Sequence, residues 1–303
     1  MSVAVSTGLA SSPPPVRSGL VGYWTFDEPA GQPRVSRYTP TPHRLEEADG
    51  LVPRVGPDGD AGYAAAFNTG GGYLRLPHEH AGDLNFRGPD AAFTIFAVVK
   101  LDPDDARGGT IAGMWSEGLG PGDDSGVRQY ALLLDMPTYG GPKRVTPHVS
   151  SEGGATRRAD GTMLPWCADY AATAERYPLG RWCSVACTYD GRWLTAYLDG
   201  RATPRPLDPA ADRRDDRYFT QEGPAGGDRG MNPYYHGRGL YRHDPVVKPG
   251  GGSPFVVGAR QVRGRDGSEP LNGLMSTLAV YDHALPAEAL TRLHDATCPA
   301  PRG

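Results

Sequence analysis

The stretch 182–200 constrains the fold most. It runs Trp182, Cys183, Ser184, Val185, Ala186, Cys187, Thr188, Tyr189, then Asp190-Gly191, then Arg192, Trp193, Leu194, Thr195, Ala196, Tyr197, Leu198 and Asp199-Gly200. β-Branched and aromatic residues on both sides of an Asp-Gly pair predict two antiparallel strands joined by a tight type I′ turn. Along the second arm Leu194, Ala196 and Leu198 share one face, and Trp193, Thr195 and Tyr197 share the other. The first face is aliphatic and suits a core; the second is aromatic and polar.

The pattern of Trp182, Val185, Ala186, Thr188, Tyr189, Asp190 and Gly191, followed by Tyr197, Leu198, Asp199 and Gly200, resembles the middle of laminin-G-like or pentraxin-like jelly-roll domains of the concanavalin A-like lectin and glucanase superfamily. Gly22 to Glu28 is similar to their first strand, Tyr73 to Pro77 to the next landmark, and residues 93–101 to the long strand after it. Residues 273–285 are similar to their last strand, with a short helix following. The resemblance implies an all-β, two-sheet antiparallel jelly-roll sandwich with long loop insertions and a short C-terminal helix. It spans residues 19–297 as one domain, with a flexible leader at 1–18, insertions at about 116–128, 137–178 and 204–253, and a tail at 298–303.

Composition agrees with many short strands and long turns, since 303 residues carry 42 Gly and 30 Pro. A net charge of −4 offers no electrostatic footprint for nucleic acid or an anionic membrane. No apolar run approaches a membrane span. The first 18 residues lack a basic start followed by a sustained apolar run, so they do not read as a signal peptide. A natural start at Met1 then implies a cytoplasmic protein, whereas a trimmed leader implies a secreted one.

Strands are also expected at 20–26, 64–67, 73–76, 93–101, 111–115, 129–135, 144–150 and 255–258. Pro147 marks the 144–150 strand as an edge or a bulge. Cys183 and Cys187 share a face about 13 Å apart, too far to bridge, and read as core residues. Cys167 with Cys298 stays geometrically open.

The paired-carboxylate signature of the superfamily's glucanases does not occur, with the Glu47 and Asp49 fragment lacking its second Glu. His78, Glu79 and His80 read as a loop. Calcium is a common ligand of the superfamily, and the resemblance puts Asp27 and Glu28 forward as its metal ligands. Met275, Ser276 and Thr277 stand where related domains usually carry Ile-Asp-Glu, which weakens that site.

The usual jelly-roll arrangement would bring Gln129, Arg144, His148, Thr195 and Tyr197 together on the concave sheet. Amide, guanidinium, hydroxyl and aromatic groups are what a sugar site uses. The two long insertions add Trp166, Tyr234, Tyr235, His236 and Arg238 at its rims. β-Elimination at a uronic acid needs a group to neutralise the carboxylate, for which Arg144 or Gln129 serves. It also needs a proton acceptor and donor, for which His148, Tyr197, Tyr235 and His236 are the candidates. The expectation is therefore a carbohydrate-active sandwich that cleaves glycosidic bonds by elimination or hydrolysis, with no required cofactor. The alternatives are a lectin-like module, calcium-assisted, and a protein-interaction domain.

Overall fold

The computed structural model describes residues 13–56, 62–67, 71–104, 109–119, 124–136, 142–157, 161–202, 232–262, the backbone of 265–268, and 270–299. Most of the predicted leader, the first residues of the 137–178 insertion with Tyr139, residues 203–231 with Tyr218, Phe219 and Met231, and the end of the tail lie outside these.

Two sheets face each other. The first runs β13 (Tyr234–Tyr235), β12 (Trp193–Leu198), β11 (Trp182–Tyr189), β7 (Phe93–Leu101), β17 (Gly273–Tyr281), β5 (Ala64–Phe67) and β4 (Arg54–Val55), with β1 (Leu20–Trp24) also on β17. The second runs β10 (His148–Val149), β9 (Val127–Leu133), β8 (Thr110–Glu117), β14 (Phe255–Val257), β6 (Tyr73–Leu76), β3 (Arg44–Ala48) and β2 (Arg34–Val35). β15 (Arg260–Val262) adds to β8 in parallel and pairs with β16 (Arg265–Ser268); the other pairings are antiparallel. One helix, α1 (Ala287–Thr297), closes the described chain.

Alternation builds the layers. On β7, Phe93, Ile95, Ala97, Val99 and Leu101 enter the core between the sheets, while Phe96 and Val98 join a second apolar layer under α1. A strand apolar on both faces is thus buried on both. Leu290 and Leu293, beside Ala289, are the large helix residues that fill the second layer, each stabilising by about 1.5–3 kcal/mol. Gly200 permits the helix to dock so closely: a Cβ there would stand 3.0 Å from the Thr291 Cα.

Local chemistry departs from expectation at the hairpin. The hairpin turn is centred on Gly191 and Arg192, one residue beyond the expected pair: Asp190 Oδ1 accepts from Arg192 N at 2.8 Å and Trp193 N at 2.6 Å, and only Gly191 takes positive φ, at 90°. An Asx-type bond replaces the type I′ geometry. β5 and β6, close in sequence, belong to opposite sheets. Pairing through 144–150 is broken into β10 and isolated bridges of Val145 with Leu134 and of His148 with Tyr170, consistent with Pro147 interrupting the ladder. Val145 and Val149 do reach the core, as the alternation implied. All four cysteines are free, so the open Cys167 and Cys298 pairing is not made.

Candidate functional site

The expected concave-face set is not brought together. Arg144 and His148 belong to the second sheet's edge, whereas Thr195 and Tyr197 lie on β12 of the first sheet, on its outer face. Gln129 falls in the register shift between Met114↔Tyr130 and Trp115↔Arg128. It donates to Asn85 Oδ1 at 2.8 Å and Phe86 O at 3.2 Å. Arg144 donates to Thr173 O at 3.2 Å and is buried. Tyr197 is covered by the α1 layer, and burial raises its pKa.

Other predicted residues do converge, around a carboxylate that no local sequence feature singles out. Asp169 is 2% exposed at the edge segment that bonds to β10 through Val149 N and Ala171 N. Tyr234, on the opposite sheet's edge strand, donates its hydroxyl to Asp169 Oδ1 at 3.0 Å, and Arg238 Nη2 reaches the same oxygen at 2.7 Å. Thr156 donates to Oδ2 at 3.1 Å, and its backbone N–H bonds Trp166 O at 3.2 Å. The network thus ties one sheet's edge to the other's.

Burial alone would raise the Asp169 pKa, but His236, Arg238 and the Tyr234 hydroxyl hold it well below the usual carboxylate range. His236 Nδ1 lies 3.7 Å from the carboxylate, too far for a hydrogen bond, and 3.0 Å from Arg238 Nη2. Its Nε2 sits 3.1 Å from Gly239 O. His148 stacks on Tyr170 at 5.5 Å and meets the edge of Trp115 at 5.8 Å, with Nδ1 2.8 Å from Thr146 O. Burial lowers its pKa to about 4, so it is neutral at physiological pH. Beside it Glu117 is enclosed by Arg128, Arg260 and the Trp115 indole N–H.

The outward face of the same edge is open. Trp193 pairs with Tyr235 across β12 and β13, their ring centroids 5.0 Å apart at 61°. Tyr235 is 39% exposed, and Thr195 continues the face. Arg238 lies three residues beyond Tyr235, with a side chain 24% exposed. The edge therefore presents an aromatic surface outward and a closed ionic network inward.

Asp27 and Glu28 stand apart from all of this. Asp27 Oδ2 accepts from Thr25 at 2.9 Å and pairs with Arg37 at 3.1 Å, and Glu28 Oε1 is 3.6 Å from the same guanidinium. A cation here would have to displace Arg37.

No family model matches the sequence, and no curated protein matches it. Solved structures do. Domain 4 of AbnA, a GH43 extracellular arabinanase from Geobacillus stearothermophilus solved with arabinotriose, aligns with 92% of this chain and 100% of its own, at 14% identity and a TM-score of 0.49. Trypanosoma rangeli sialidase in complex with sialic acid aligns over 91% of this chain and 32% of its own, at 18% identity and a TM-score of 0.47. The binding domain of botulinum neurotoxin DC, in complex with SialylT, aligns over 93% of this chain and 52% of its own, at 6% identity and a TM-score of 0.50. At such identity the likeness is one of fold, and the fold is a two-sheet antiparallel β-sandwich.

Proposed function

We propose that this protein binds carbohydrate, with the sugar stacking on the open face of the β12–β13 edge. The observation that carries the reading is the surface pair Trp193 and Tyr235, held on paired strands with Thr195 beside it. Sugars offer apolar C–H faces to aromatic rings and hydroxyls to nearby polar groups, and this patch has both. Strand pairing and the Asp169 network fix the patch, so little ordering entropy is lost on binding. The toxin binding domain, which shares the fold and was solved with SialylT, adds support for sugar as the ligand class to test first.

Binding is favoured over cleavage by burial. Of the four residues expected to exchange protons, His148, His236 and Tyr197 are 1%, 2% and 7% exposed, and only Tyr235 meets solvent. A general acid or base must come within hydrogen-bond reach of the scissile bond. The test is calorimetric titration with neutral and uronate-containing oligosaccharides, with reducing ends and unsaturated-sugar absorbance followed in parallel. Saturable binding with neither product signal is expected. New reducing ends or absorbance would establish cleavage instead, and absence of binding across the panel would overturn the proposal.

A further inference from the structure

A second cluster lies where β12 hands over to α1, on the helix side of the first sheet. Asp199, His294 and Cys298 each offer one ligand atom, and the three atoms lie within 4.8 Å of one another. We propose that these residues form a binding site for a zinc-class divalent metal ion, with a fourth coordination position open to the adjoining cleft.

The three donors are placed by independent features of the fold. His294 and Cys298 are four residues apart, one helical turn, so their side chains lie on one face of α1. The Cys298 N–H bonds His294 O at 2.8 Å, which carries the helical register through to the thiol. Asp199 follows β12 in the left-handed region at φ 49°, a conformation a non-glycine residue adopts only when held. Ser184 holds it twice: Asp199 N donates to Ser184 O at 2.8 Å, and Ser184 N donates to Asp199 Oδ1 at 3.0 Å. The missing side chain at Gly200 then lets α1 approach until His294 Nδ1 is 4.0 Å from Asp199 Oδ1.

Donor chemistry selects the metal. One imidazole nitrogen, one thiolate and one carboxylate oxygen match tetrahedral zinc, whereas calcium and magnesium prefer all-oxygen shells. Ligand bonds of about 2.0–2.3 Å put tetrahedral donors roughly 3.3–3.8 Å apart, so side-chain rotation of about 1 Å closes the set. The C-terminal carbonyls of α1 add negative partial charge where the cation would sit. A cleft of about 460 Å³ opens beside Asp199 and His294, and Glu175 and Asp295 also line it. Water from the cleft completes the shell.

Binding requires two exchanges. His294 Nδ1 leaves Ser184 Oγ, now at 2.9 Å, and Asp199 Oδ2 leaves the half-exposed Arg181, now at 3.5 Å. The Cys298 thiol loses its proton to solvent as the metal–sulfur bond forms, so one proton appears for each ion bound.

The experiment is titration of the full chain with cobalt(II) as a spectroscopic probe, then displacement by zinc. One equivalent should give a thiolate-to-cobalt charge-transfer band, which zinc removes. The other three cysteines are buried, so the band reports Cys298. Cys298→Ser should abolish the band. His294→Ala and Asp199→Asn should each weaken binding by more than the ~10-fold that loss of an outer-shell partner costs. Metal-free thermal unfolding of each variant separates loss of the site from loss of the fold, and Asp199→Asn serves if Cys298→Ser does not fold. Cobalt binding without the band, binding unchanged in the folded variants, or no binding at all would overturn the proposal.

Discussion

Trp193 and Tyr197 point to the same face of the same strand, four residues apart, and meet opposite fates. Tyr197 is roofed by α1 and belongs to the layer of Leu290 and Leu293. Trp193 lies past the reach of the helix, packs edge-on against Tyr235 and stays partly open. Residue type and alternation are alike at the two positions; what separates them is what covers the sheet. An aromatic row on an outer face is thus structure at one end and available surface at the other.

That contrast can be broken at either end, and the largest effect is expected beneath the open one. Asp169→Asn removes the buried carboxylate that pairs with Arg238 at 2.7 Å, and should cost about 3–5 kcal/mol in urea unfolding. It should also loosen β13 and weaken sugar binding. The native carboxylate contributes stability above the ordinary value of 3.8, lost as the pH falls below it, because its folded pKa is depressed.

At the closed end Leu290→Ala should cost ~2–5 kcal/mol through cavity formation, with sugar affinity unchanged. If affinity falls with it, the two ends are coupled and the contrast fails. The next effect separates the ends by pH. His148 is buried neutral, with its pKa lowered to about 4 from 6.5, so the unfolded chain takes up a proton that the folded one refuses. Its contribution is complete above pH 6.5 and is lost as the pH falls toward 4, up to roughly 3 kcal/mol. His148→Phe should flatten that slope, as read from urea midpoints across the window.

Much of the scaffold was legible because it rests on period and turn chemistry. The β7 alternation, the apolar face of Leu194, Ala196 and Leu198, and the inward stripe of α1 follow from side-chain direction alone. The site was legible only in part. Tyr234, His236 and Arg238 stood out by residue type, yet Asp169, which gathers them, sits 65–69 positions away, where nothing local distinguishes it from any loop carboxylate. Gln129 sits at a bulge, and a bulge shifts side-chain direction without a sequence signature as strong as the alternation it interrupts. Tyr197 was assigned to a groove because alternation gives the face of a strand and not what packs over it.

The central claim is that the open end binds and the closed end supports. Calorimetric titration of a recognised oligosaccharide into wild type, Trp193→Ala and Leu290→Ala, with thermal unfolding of all three, tests it directly. Trp193→Ala should lose at least about tenfold in affinity, equivalent to ~1.4 kcal/mol, while its unfolding temperature stays close to wild type, and Leu290→Ala should show the reverse. Undiminished affinity in a folded Trp193→Ala protein would contradict the account.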